Sequence, residues 1–249
     1  MSLDQKTLSA PLSRLGHALQ SNKIVKIAEI LFIFLVSGTI ITLFISEQAE
    51  DLLYNQFVVW CSNIIMLILV FTGVKLRGEN LRQFGLSFHK FTLKYALKTL
   101  LQSVVVAVLA TAAFVIGAVI MANVSGVPAQ ADHTVYNYIS GNIGMLLLSL
   151  AGVYIVSSFG EEIVYRAFLI NRISELGVDN KTTKIIAVIL SSIIFGLVHY
   201  SWGFMGIIQT FFMGLVLGCS YVYLKRKIWV LIIAHAYMDT LLMVQMYLN

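Results

Sequence analysis

The sequence predicts an all-α, polytopic membrane protein: a bundle of about seven transmembrane helices with a cytoplasmic N-terminus. Three observations carry that expectation. Of the 249 residues, 59% are hydrophobic and 12% charged, with a mean hydropathy of +0.87, whereas soluble domains are about 45–50% apolar and about 25% charged. Seven apolar runs approach or exceed the roughly 20 residues that cross a bilayer. The 17 Lys and Arg fall in four groups at alternate ends of those runs, and the other connections hold none. Two prolines and the lack of low-complexity tracts exclude a disordered or collagen-like chain. The net charge of +5 raises nucleic-acid binding as a class, but its placement points to lipid, so no nucleic-acid partner is expected.

The elements follow in chain order. Residues 1–25 form a cytoplasmic or interfacial segment in which Leu8, Leu12, Leu15 and Leu19 recur at helical spacing, as on a membrane surface. No signal-peptide core precedes the first span, which reads as an uncleaved anchor. Spans are expected at 26–46, 53–74, 95–121, 142–170, 184–201, 204–224 and 228–248. The fifth is the shortest, and 200–205 must form a tight turn. The chain thus divides into an N-terminal group of spans (26–130) and a C-terminal core (131–249). Cys61 and Cys219 lie inside apolar runs, so no structural disulfide is expected.

Orientation follows from the basic residues. Lys6, Arg14, Lys23 and Lys26 precede or open the first span. Lys75, Arg77, Arg82, Lys90, Lys94 and Lys98 lie between the second and third. Arg166, Arg172, Lys181 and Lys184 lie around the end of the fourth, and Lys225, Arg226 and Lys227 separate the sixth and seventh. The other connections carry Glu47, Glu50, Asp51 and Asp132 instead. All groups are satisfied with the N-terminus inside and the C-terminus outside.

Ionisable groups at membrane depth are Glu29, Glu161, Glu162, Arg166, His199, His235 and Asp239. Each costs about 2.5–3.5 kcal/mol at the bilayer centre, so such groups are functional by default. Glu29, beside Lys26, reads as interfacial. Glu162 and Arg166 are i and i+4 and can pair along one face. Glu161 is turned about 100° away and should meet a different neighbour, so that one carboxylate stays ionised while the other acts as a base. Phe195 and His199 share a face, with Gly196 allowing close helix approach. His235 and Asp239 share a face, so that the carboxylate orients or charges the imidazole. Counting about 1.5 Å per residue from the cytoplasmic ends puts His235 about 10 Å deep, Glu161 about 13 Å, Asp239 about 16 Å and His199 about 22 Å. His199 is the outlier. Together these residues point to a catalytic site inside the bilayer.

The motifs EEIVYR from Glu161, FGLVH from Phe195 and HAYMD from His235 resemble the pattern E-E-x-x-x-R, F-x-x-x-H, H-x-x-x-N/D of the intramembrane protease family that includes type II CAAX prenyl endopeptidases and bacterial bacteriocin-processing and Abi proteins (CPBP). The resemblance covers about residues 140–245 and makes 131–249 a CAAX-protease-like catalytic core. It implies an intramembrane endopeptidase in which Glu161 and His199 activate water. His235 and Asp239 would stabilise the oxyanion, with Glu162, Arg166 and Phe195 as support. Asp239 stands where the eukaryotic enzymes have Asn, and an ionised carboxylate repels an oxyanion. The family has been described as metalloprotease and as glutamate protease. No cofactor is favoured; zinc on Glu161, His199 and His235 is the alternative, since two His and one Glu leave a fourth position for water. The implied partners are the bilayer and a membrane-associated peptide or lipidated protein. The expected location is the bacterial inner (cytoplasmic) membrane. A non-catalytic immunity or adaptor protein of the same fold is the competing reading, and a proton-coupled transporter the third.

Overall fold

The computed structural model describes residues 13–48, 51–87, 92–126 and 132–248. No strand occurs among them. Leu8 and Leu12 of the N-terminal stripe lie outside the described residues.

Helix α1 (Arg14–Ser21) starts where Ser13 Oγ accepts the Gly16 N–H at 3.1 Å, a capping interaction that satisfies one of the orphan donors of a first turn. It lies against the end of the third helix rather than free on a surface. Leu19 is buried, and Gln20 Nε2 donates to the Arg77 carbonyl at 2.6 Å. Asn22 then caps α2 (Lys23–Phe44), which returns through α3 (Leu52–Leu76). Thr92 caps α4 (Leu93–Ser125). The long helix α5 (Ile143–Ser174) widens to i→i+5 backbone bonding over Tyr154–Ile170, a rare geometry often found at functional sites. Asn180 caps α6 (Lys181–Leu197), and a single turn, Tyr200–Trp202, leads into α7 (Gly203–Tyr223) and α8 (Ile228–Leu248).

Six of these segments are long and apolar enough to cross a membrane: Lys23–Phe44, Leu52–Leu76, Leu93–Ser125, Ile143–Ser174, Tyr200–Tyr223 and Ile228–Leu248. The fifth expected span is the exception. Its helix, α6, has 17 residues, about 26 Å at 1.5 Å per residue and at the lower limit for a crossing. It stops before His199, which therefore stands in the turn and not in the helix. Gly196 makes the close α6–α7 contact the sequence suggests, since a Cβ there would press on the Ile207 carbonyl and Phe211. Both cysteines are free and exposed.

One apolar core runs through both halves of the chain, with Ile33, Met66, Ala110, Phe168, Leu217 and Leu231 in a single cluster. At the end bearing the basic residues, long-range ion pairs tie the helices together. Glu29 does not sit loosely beside Lys26. It binds Arg77, with Nη1 to Oε1 at 2.7 Å and a second contact from Nη2 to Oε2. Gly73 gives it room, because a Cβ there would strike the Glu29 carboxylate. Lys26 instead meets Glu175 at 2.8 Å, and Arg172 binds Glu175 at 2.6 Å and Glu79 at 2.9 Å. Arg77 and Arg172, read from sequence as loop charges, are fully buried. The reason is that no sequence spacing pairs residues 48 or 93 positions apart.

Candidate active site

The widened part of α5 presents two successive polar turns, Ser157-Ser158 and Glu161-Glu162, followed by Arg166. Opposite them stands His235, one-third of the way along α8 and 3% exposed. Its Nδ1–H donates to Glu162 Oε1 at 2.8 Å. On its other side, Nε2 lies 3.9 Å from Glu161 Oε2 and 3.7 Å from Asp239 Oδ1, with Ser157 Oγ at 3.4 Å.

Glu162 pairs with Arg166 as the spacing predicts, but the adjacent glutamates also share a neighbour that the spacing does not show. They flank one imidazole, because its two nitrogens lie at opposite edges of the ring and the helix offers a carboxylate to each. Asp239 does not orient His235. At 3.7 Å it is beyond hydrogen-bond distance, and Glu162 holds the ring instead. Asp239 is itself held by Ser158, whose hydroxyl donates to Oδ2 at 2.6 Å, and more weakly by Ser157 at 3.5 Å. Neither serine was singled out from the sequence. Their signal was available: each lies four residues before a glutamate.

Arg166 is 1% exposed, with Nη1 3.0 Å from Glu162 Oε1 and its guanidinium carbon 4.2 Å over the Phe195 ring. Phe195 is fully buried and packs edge-on against Tyr165 at 5.0 Å. His199 Nδ1–H donates to the Phe195 carbonyl at 2.7 Å, which leaves Nε2 as the acceptor of that ring. Ser191 Oγ donates to the Tyr165 carbonyl at 2.7 Å, which joins α6 to α5. Phe195 comes within 6.4 Å of His235 and His199, the outlier by depth, within 4.9 Å of Phe195, between ring centroids, and His199 lines the same cavity as Glu161 and His235.

Glu161, His199, His235 and Asp239 line one cavity of about 960 Å³. Its walls also include Phe34, Met66, Trp60 and Val153, and its far end His133, Tyr136 and Trp202. His133 was not picked out from the sequence, where it stands alone in a connection. Its ring packs edge-on against Trp202 at 4.7 Å, and desolvation there holds its pKa below the usual histidine value. Buried polar atoms without a hydrogen-bond partner cluster at the floor: Glu161 Oε2, Glu162 Oε2 and both Nη atoms of Arg166. The zinc set Glu161, His199 and His235 shares the cavity but does not gather to ligand spacing, and no three His, Cys, Asp or Glu do so among the described residues.

Residues 143–241 match the family model described as Type II CAAX prenyl endopeptidase Rce1-like. The matched segment contains Glu161, Glu162, Arg166, Phe195, His199, His235 and Asp239. At the family level this segment is similar to CAAX protease-type peptidases, and with six apolar helices the chain is an integral membrane protein. No curated protein and no solved structure matches the chain.

Proposed function

We propose that this protein is an intramembrane endopeptidase that hydrolyses a peptide bond of a membrane-associated protein or peptide. The observation that carries the reading is the pair of carboxylates on one imidazole at the floor of a large cavity, inside the segment that matches a peptidase family. Hydrolysis needs a base for water and a donor for the oxyanion. Glu161 lines the cavity and has a buried oxygen free of hydrogen bonds. A water between Glu161 Oε2 and His235 Nε2, which are 3.9 Å apart, would be positioned by both. Glu161 takes its proton as the oxygen attacks the carbonyl carbon. His199, with Nε2 as acceptor, orients the water from the turn after α6.

The tetrahedral oxyanion then forms beside His235. Glu162 fixes a proton on Nδ1 and Arg166 balances Glu162, so the ring is held in one orientation. A proton on Nε2 would face the oxyanion. Asp239 accepts from two serine hydroxyls, so it serves here as a positioning group for Ser157, whose Oγ lies next to Nε2. Glu161 finally returns its proton to the leaving amine. The competing readings from the sequence, an adaptor or a transporter, find no separate support in this geometry.

Membranes from cells producing the wild-type protein are expected to contain new protein termini that are missing with Glu161→Gln, read by mass spectrometry of terminal peptides. Identical termini with both forms would remove the peptidase reading and favour the adaptor. The same comparison identifies the substrate, and location in the bacterial cytoplasmic membrane is checked by fractionation of those cells.

A further inference from the structure

The cavity has a direction. Its lining on α2 runs from Phe34 to Thr42, with Ile45 just past the helix end, on α3 from Leu52 to Met66 and on α8 from His235 to Gln245. In each helix this is the part farthest from the basic residues, since α2 opens with Lys23 and Lys26, α3 closes with Lys75, and Lys225–Lys227 precede α8. At the basic end Arg77 and Arg172 are fully buried in ion pairs, Arg166 and Phe195 are buried beside the glutamates, and none of these four lines the cavity.

At the opposite end the borders are two short segments that hold each other. The Asp132 N–H donates to the Trp202 carbonyl at 3.0 Å, and His133 and Trp202 pack ring against ring. A third border, the α2–α3 connection, is pinned where Ser46 Oγ donates to Asp51 Oδ2 at 2.6 Å and Asn55 bonds both the N–H and the carbonyl of Ser46. These borders carry Glu47, Asp51 and Asp132. Asp132 keeps its charge, because the Thr134 N–H holds its carboxyl below the usual range. No Lys or Arg lines the cavity among the described residues. Basic loops stay on the cytoplasmic side. An acidic border attracts cations and repels anions before contact.

Resting on the peptidase reading above, we infer that the cavity opens on the non-cytoplasmic face and admits an apolar polypeptide segment flanked by Lys or Arg, presented from that side of the membrane. Its volume is at the upper end of ordinary ligand pockets, about 300–1,000 Å³, and suits several side chains of an extended chain. The apolar wall takes the segment, the acidic border takes its cationic flank, and the scissile bond descends to Glu161.

The test begins with labelling, which needs no activity. In a C61S, C219S background, Gln245→Cys in the wall and Ser201→Cys at the border are exposed to a membrane-impermeant maleimide, with Lys227→Cys as the opposite-side control. Positions 245 and 201 are expected to label in right-side-out vesicles and 227 only in inverted ones. Labelling of 245 in inverted vesicles alone, or in neither, overturns the direction. The second arm uses single-span reporter proteins bearing an apolar segment outside the membrane, flanked by Lys or by Glu. Lys-flanked reporter should be cut at least tenfold faster than its Glu-flanked twin, and a reporter with the segment inside should survive. Equal cutting of the two flanks overturns the charge preference. External labelling with no reporter cut would instead count against the peptidase reading and leave the direction of the cavity standing.

Discussion

Arg77 and Arg166 are both buried arginines facing a glutamate, yet their guanidinium groups are finished differently. Arg77 donates through Nε to the Leu19 carbonyl at 3.1 Å and through both Nη atoms to Glu29. Every nitrogen has a partner, and the two carboxylate oxygens are used. Arg166 lies 3.0 Å from Glu162 and over Phe195, but neither Nη makes a hydrogen bond, and Glu162 Oε1 is already taken by His235. Native structures leave few buried polar groups unpaired, and each exception asks for a reason. The saturated pair ties α1, α2 and α3 together. The unsaturated one lies behind the glutamates of the cavity, buried against Phe195.

Predictions can break or sharpen this contrast. The largest effect is expected from Glu161→Gln, which keeps shape but removes the base. Cleavage of the identified substrate should fall by about 10²–10⁴-fold, while the melting temperature in detergent stays at the wild-type value. Parallel loss of fold would make Glu161 a structural residue like Arg77. Adding His199→Ala to Glu161→Gln should cost far less than the product of the single effects, since groups acting as one unit are not additive; multiplicative losses would separate their roles.

Next comes Arg77→Ala. It strands Glu29 in the bundle and should destabilise by about 3–5 kcal/mol, read from thermal unfolding and folded yield. Arg77→Lys should recover only part, because an ammonium cannot serve two oxygens as a planar fork does. Arg166→Ala should also destabilise, by less than Arg77→Ala, and should reduce cleavage in the folded fraction. The reverse order of stability would show that the site pair, not the end pair, holds the bundle.

Ser158→Ala removes a donor to Asp239 and should cost about 1–3 kcal/mol if the carboxylate stays unpaired, with Ser158→Thr restoring it. The smallest change is expected from Lys26→Ala. Its partner Glu175 is 34% exposed along its side chain, so the pair should be worth about 1 kcal/mol or less. A loss as large as that of Arg77→Ala would extend the saturated cluster to Lys26.

Much of this molecule was legible in its sequence. Composition and run length predicted the helical membrane bundle, and i, i+4 spacing brought Glu162 to Arg166 and Phe195 to His199. The tight turn after the fifth helix and the close approach at Gly196 were likewise local. What spacing could not show was a partner from another helix. Glu29, read only as an interfacial residue, pairs with Arg77, and Lys26 pairs with Glu175. The carboxylate four residues after His235 was taken to orient it, while the one 73 positions before it does so.

Sequence alone therefore determined which residues can share a face and which runs must leave water, because helix geometry and hydrophobicity act over a few residues. Only the tertiary structure decided that two glutamates meet one imidazole, that Ser158 holds Asp239, and that the cavity lining lies away from the basic end. Those outcomes depend on how far one helix slides along another, and that offset is set by the packing of side chains such as Phe195, Tyr165 and Ser191 across the interface.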